Sequence, residues 1–178
     1  DALKTIRQES NQQQQLVDFF ISTFNNNQVA GLLLSKYIRA QELGLVLEFD
    51  PTSRLSKPLP DALTADDLTT ILGNLLDNAF ESTLKNPDSS KQISLLISDQ
   101  TNELVIEVAD NGTGIDPTIA DTIFERGVTT KEENGHGYGM YLIQRYVSHA
   151  GGHIILDEAE PRGAIISLFI PLQGQAYE

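Results

Sequence analysis

The sequence predicts an α+β fold, a two-layer α/β sandwich in which helices cover a sheet with antiparallel neighbours. Three observations lead there. Amphipathic periodicity of about 3.6 residues marks residues 28–43, the stretch after Thr64 and residues 138–149. Short runs at 45–49, 93–98, 104–109, 154–156 and 164–170 read as strands. Strands 93–98 and 104–109 are separated only by residues 99–103, so they pair as an antiparallel hairpin.

Taken in chain order, Leu16, Phe19, Phe20 and Thr23 fall at helical spacing. The run Asn25-Asn26-Asn27 breaks that pattern and can cap the helix that follows. Within 28–43, Leu32, Leu33 and Ile38 are apolar, while Lys36, Arg39 and Gln41 are polar; Gly44 suits the helix C-terminus. Residues 1–43 therefore read as a helical hairpin too thin to fold alone. A boundary is expected near Gly44, dividing the chain into 1–43 and 44–178. Strand 45–49 stops at Asp50-Pro51, and residues 51–62, with Pro51, Pro58 and Pro60, read as loop. Thr64 with Asp67 resembles a capping box. The helix it opens must stop near Asn86-Pro87, because the residue before a proline disfavours the helical region. A long glycine-rich segment spans 110–139, and Gly151-Gly152 ends the helix after it.

Composition narrows the function. A chain of 178 residues suffices for one domain with a core plus a short extra element. The absence of cysteine excludes disulfides and thiolate metal sites. No apolar run approaches the ~20 residues of a membrane span. A start at Asp1 without a signal-peptide pattern suggests a fragment of a longer chain. The formal net charge of −13 opposes nucleic acid and anionic membrane surfaces as direct partners. A polyphosphate can still bind to so acidic a protein, given backbone N–H groups, a divalent cation and a few placed cations.

Three local patterns carry chemistry. In the helix after Thr64, Leu68, Leu72, Leu75, Leu76 and Ala79 form an apolar stripe, with Asn74, Asp77, Asn78 and Glu81 on the opposite side. Asn and Asp cost helix stability because they compete for backbone hydrogen bonds. This face is either a solvated surface or an oxygen site for a hard cation. Asp110-Asn111-Gly112-Thr113-Gly114 follows a strand. It is either a tight turn or a place where the backbone approaches a ligand, with Asp110 able to accept from an exocyclic amine such as that of adenine. Gly135-His136-Gly137-Tyr138-Gly139 precedes a helix, where N–H groups and the helix dipole favour an anion; the alternative is a flexible linker. Between the glycine runs, residues 123–131 carry Phe124, able to anchor a mobile segment, and Lys131, able to reach a phosphate. A stretch this long is usually a lid or disordered.

The order of these patterns, over about residues 45–172, resembles the GHKL (Bergerat-fold) ATP-binding superfamily. That resemblance implies ATP and Mg²⁺ as cofactors. It implies that Asn78 coordinates Mg²⁺ and that Asn74, the candidate catalytic position, lies close to the phosphates. Asp110 would recognise the adenine amine, and Gly112 and Gly114 would let the chain pass close to the nucleotide. Phe124 would begin the lid, while Thr130, Lys131, Gly135, His136, Gly137 and Gly139 would hold phosphates. The superfamily's ATPases carry a general-base Glu where this chain has Asn74, and an amide takes no proton from water at neutral pH. This favours a phosphoryl transferase. One departure is Arg162-Gly163-Ala164 in place of a Gly-Thr pair, which puts a water-mediated adenine contact in doubt.

Residues 32–44 followed by a strand and Asp50-Pro51 are similar to citrate and C4-dicarboxylate sensor histidine kinases. In that family a phosphoaccepting His lies on a helix just upstream. The histidines here are His136, His149 and His153, so the acceptor is expected to lie outside the chain. The resemblance implies a response regulator, an upstream histidine helix and a sensor region as partners. It also implies a homodimer in the full-length protein and a place on the cytoplasmic side of a bacterial inner-membrane sensor. The alternatives are an ATPase or anti-sigma-type serine kinase of the same superfamily, or a docking module without catalysis.

Overall fold

The computed structural model describes residues 2–88, 90–124 and 138–172. The helices are α1 (Ala2–Thr23), α2 (Asn27–Glu42), α3 (Ala65–Leu84) and α4 (Gly139–His149). The strands are β1 (Val46–Phe49), β2 (Gln92–Ser98), β3 (Glu103–Asp110), β4 (His153–Glu158) and β5 (Ala164–Pro171). They form one sheet in the order β1-β2-β3-β5-β4. β1 runs parallel to β2, and every other pair is antiparallel. The expected hairpin is β2–β3, with Leu95 opposite Val108.

Strand alternation decides which face is covered. Ile93, Leu95 and Ile97 of β2, Leu104, Ile106 and Val108 of β3, and Ile166, Leu168 and Ile170 of β5 are buried under the helices. Their neighbours, such as Ser94, Glu107 and Phe169, stand at least half-exposed on the other face, Ser167 excepted. Helix α3 lies across this inner face. Its whole predicted stripe is buried, joined by Ile71 and Phe80. Its start is set by the reciprocal box read from the sequence: Asp67 N–H donates to Thr64 Oγ1 and Thr64 N–H donates to Asp67 Oδ2, both at 3.1 Å. Such a cap contributes about 1 kcal/mol. It fixes where α3 begins, and hence which residues reach the site below.

The expected division at Gly44 is not a division of the core. Asn26 caps α2 by accepting from Val29 N–H, and Gly44 takes a φ of 71°, as the helix end requires. But Val29, Ala30, Leu33 and Ala40 of α2 belong to the same buried cluster as α3 and the sheet. The end of α1 joins them. Phe20 packs edge-to-face on Phe49 of β1 at 5.2 Å between centroids, and Phe24 bridges to Leu55. A hairpin that cannot bury its own apolar face shares another element's. Leu33 is fully buried. Leu33→Ala is therefore expected to destabilise the whole chain by about 2–5 kcal/mol, shifting one cooperative urea transition. An early, separate transition would instead mark 1–43 as an independent unit.

Candidate functional site

The polar face of α3 does not meet water alone. It forms one wall of a cavity of about 740 Å³ between α3, α4, the end of β3 and the loop after it. Volumes of several hundred Å³ suit a small organic ligand. Asn74, Asn78, Asp110, Gly114 and Gly139 all line it, so residues far apart in sequence are brought together as expected.

One end of the cavity is built around Asp110, the last residue of β3, which is 9% exposed. Its carboxylate accepts from Gly112 N–H at 2.8 Å and lies 3.4 Å from the Ser82 hydroxyl. Burial pushes its pKa above the usual carboxylate range, against the lowering effects of bonds from Gly112, Ala164 and Ser82. Apolar side chains surround it: Val108, Ile115, Ile119, Ile123, Met140 and Ile166 line the same space. A flat apolar group carrying one amine donor matches that arrangement.

The other end joins α3 to the first turn of α4. Asn74 is packed so closely there that a Cβ on Gly139 would lie 3.3 Å from Asn74 Oδ1. Asn78 Nδ2 donates to Met140 Sδ at 3.0 Å. Two side-chain amides thus flank a helix N-terminus whose free N–H groups favour an anion. No side chain caps that terminus from Tyr138.

Two glycines turn out to serve protein contacts. A Cβ at Gly112 would overlap Ser82 and lie 2.6 Å from its carbonyl oxygen. Gly112 is buried against α3, and its smallness lets β3's loop touch that helix. Gly163 has a φ of 106°, and a Cβ there would overlap the carbonyl oxygen of Asp110. Gly114, with a φ of 77°, does line the cavity. Phe124 is half-buried against the core, as an anchor would be. Thr130, Lys131, Gly135, His136 and Gly137 lie outside the described residues.

Sequence reading missed Ser82, Asn86 and the role of Arg162. The Ser82 hydroxyl accepts from Thr113 N–H at 3.1 Å, tying α3 to the loop. Asn86, 2% exposed, donates to the Asn111 carbonyl at 2.6 Å and accepts from Arg162 Nη1 at 3.1 Å. Arg162 also reaches Asp88 at 3.2 Å. Where a Gly-Thr pair was the expectation, Arg162 ties the β4–β5 turn to the end of α3. Polar residues that brace a site from outside leave no spacing signal.

The match to a family model decides the affiliation: residues 64–174 fit the model described as histidine kinase-, DNA gyrase B-, and HSP90-like ATPase. The chain belongs to this ATPase family. The stretch matched runs from the α3 cap to just past β5, so it contains both ends of the cavity, and the family's domain binds ATP. Among sequence relatives, the sensor histidine kinase CitA of Klebsiella pneumoniae is 47% identical over 171 residues, 96% of this chain and 31% of that protein. A probable C4-dicarboxylate sensor kinase of Bacillus subtilis is 33% identical over 98% of this chain and 32% of its own length. The chain thus spans about a third of these relatives. Among solved structures, the mycobacterial sensor histidine kinase MprB superposes with a TM-score of 0.63 at 19% identity, covering 89% of this chain and 95% of that one. Full-length ShkA in complex with AMPPNP gives 0.60 at 27% identity over 82% of this chain and 30% of its own. The two-layer fold agrees with these neighbours. Among the described residues, no helix is long and apolar enough to cross a membrane.

Proposed function

We propose that the cavity binds Mg·ATP and that the chain is the catalytic fragment of a sensor histidine kinase, passing the γ-phosphoryl to a histidine outside it. The observation that carries this is the distribution of chemistry along one cavity. A buried carboxylate among apolar walls lies at one end, and two amides beside a helix N-terminus lie at the other.

Asp110 accepts the adenine amine, and the apolar walls exclude water from the base. The N-terminus of α4 and Gly139 face the phosphates. Asn78 and Asn74 are oxygen donors of the kind Mg²⁺ takes. Among the described residues no three His, Cys, Asp or Glu groups converge on a metal position, so the cation is held together with phosphate oxygens. When bound, Mg²⁺ neutralises charge on the transferring phosphoryl group. Asn74 cannot deprotonate a water, so the site orients the phosphoryl for an imidazole that is itself the nucleophile.

In this reading residues 1–43 derive from a dimerisation hairpin. α1 is the part that leaves the core, with Leu3, Ile6 and Ile21 exposed, and α2 is the part seated in it. The full-length protein is then a homodimeric membrane sensor. It carries its own histidine helix and sensor region and has a response regulator as phosphoryl acceptor. The printed names of the sequence relatives support citrate or a C4-dicarboxylate as the class of stimulus.

Calorimetry with AMPPNP, with and without Mg²⁺, tests the proposal. Binding strengthened by Mg²⁺ is expected, and Asn78→Ala should remove most of that Mg²⁺ dependence while leaving the cation-free affinity in place. Transfer from ATP to a supplied histidine-bearing helix would then complete the case. Failure of the wild-type chain to bind AMPPNP in either condition would sink it.

A further inference from the structure

Glu81 is the residue of the α3 face that this reading leaves unexplained. It lines the cavity together with Asn74 and Asn78, and its side chain is 38% exposed. A polyphosphate site is a poor place for a carboxylate, since the two repel. Lys85 stands 3.8 Å away and is itself 56% exposed, so water screens much of what it offers.

Helix geometry says which part of the cavity Glu81 serves. At 3.6 residues per turn, positions 74 and 81 point within roughly 20° of one another. Position 82 is turned roughly 100° away from 81. Ser82 points to Asp110 and the adenine end. Glu81 therefore shares the azimuth of Asn74, which packs against α4 at the phosphate end. It also follows Asn78 at i+3, a spacing that puts both side chains on one face.

We infer that Glu81 is a second, anionic ligand of the nucleotide-bound divalent cation, acting beside the Asn78 amide. The inference rests on the Mg·ATP reading. Mg²⁺ sites pair one or two carboxylates with substrate phosphates, and a carboxylate three residues after an amide ligand supplies one. The cation then lies between two anions, which turns the repulsion into a requirement: nucleotide enters with metal or binds poorly.

The test is AMPPNP calorimetry on the full chain and on Glu81→Gln, in excess Mg²⁺ and in EDTA, with Mn²⁺ paramagnetic resonance reading the cation directly. Gln keeps the shape and helix preference and removes only the charge. The expected result is a loss of roughly 10–100-fold in the Mg²⁺-dependent affinity, the range by which groups around a metal alter its binding. Affinity in EDTA should stay equal or improve, and Glu81→Lys should improve it further. Equal losses in Mg²⁺ and EDTA would overturn the inference, as would no loss in Mg²⁺. So would a loss that vanishes with the 2′-deoxy analogue, which would make Glu81 a reader of the ribose. Absence of binding by the wild-type chain would instead refute the ATP reading itself.

Discussion

Asp110→Asn is expected to separate binding from stability. Loss of a hydrogen bond to a charged acceptor typically costs about 1.5–3 kcal/mol, or roughly 10–100-fold in affinity. AMPPNP calorimetry should show at least that, because the amide presents a weaker acceptor to the adenine amine in a site with no water to compensate. The same substitution should leave the melting temperature unchanged or raise it. The reason is the direction of the pKa shift: burial lifts Asp110 above the ordinary carboxylate range. For an acid whose folded pKa is raised, the stabilising contribution is fully present below its unfolded pKa of about 3.9 and is lost as pH rises through the folded value. At neutral pH the ionised group is a liability that Asn does not share, while Asn Oδ1 can still accept from Gly112 N–H. Binding carries the opposite sign. Nucleotide affinity should fall as pH drops toward the raised pKa, because the protonated acid is a poorer acceptor. In Asp110→Asn that dependence should flatten. A variant that melts lower and binds as well as wild type would make Asp110 a structural residue.

The second large effect concerns a residue that touches no ligand. Gly163→Ala should destabilise the fold by about 2–5 kcal/mol, combining a left-handed backbone with overpacking. Its Cβ would overlap the Asp110 carbonyl oxygen and come within 2.9 Å of Asn111 Cα. These neighbours are backbone and cannot swing aside, so β3 and β5 must part where Ala109 pairs with Ile165. Thermal unfolding reads the first consequence and AMPPNP affinity the second, since Asp110 moves with its backbone. Gly114→Ala is the contrast. It too has a positive φ, but only the Gly163 carbonyl approaches, at 3.5 Å, so a cost of about 1 kcal/mol is expected. Equal effects at the two positions would show that conformation, and not contact, governs both.

Local signals made most elements legible. The Thr64–Asp67 box, the Asn26 cap and the glycine after α2 each act within four residues, and each appears where the sequence places it. The α3 stripe was legible because burial on one face imposes a period. The candidate site was legible in part for a different reason. Asn74 and Asn78 stand out because they weaken a helix, and Asp110 because it ends a strand beside glycines. Residues that read as locally costly mark where something outside the helix or strand repays the cost.

What escaped reading is everything that depends on two distant segments meeting. Gly112 and Gly163 read as turn or ligand-facing glycines, yet Ser82 and Asp110 are what forbid a side chain there. Asn86 read as a helix stop, yet it is buried and holds the Asn111 carbonyl and Arg162. Gly44 read as a boundary between units, yet the core runs past it into α2.

The sequence by itself determined the helices, the strands, their caps and the polar face of α3, because periodicity and capping are short-range and each residue type carries its own preference. Only the tertiary structure decided that this face closes a cavity against Asp110, Gly139 and Met140, and that α2 shares the core. Those outcomes follow from shape and burial between segments tens of residues apart, and no spacing within either segment encodes them.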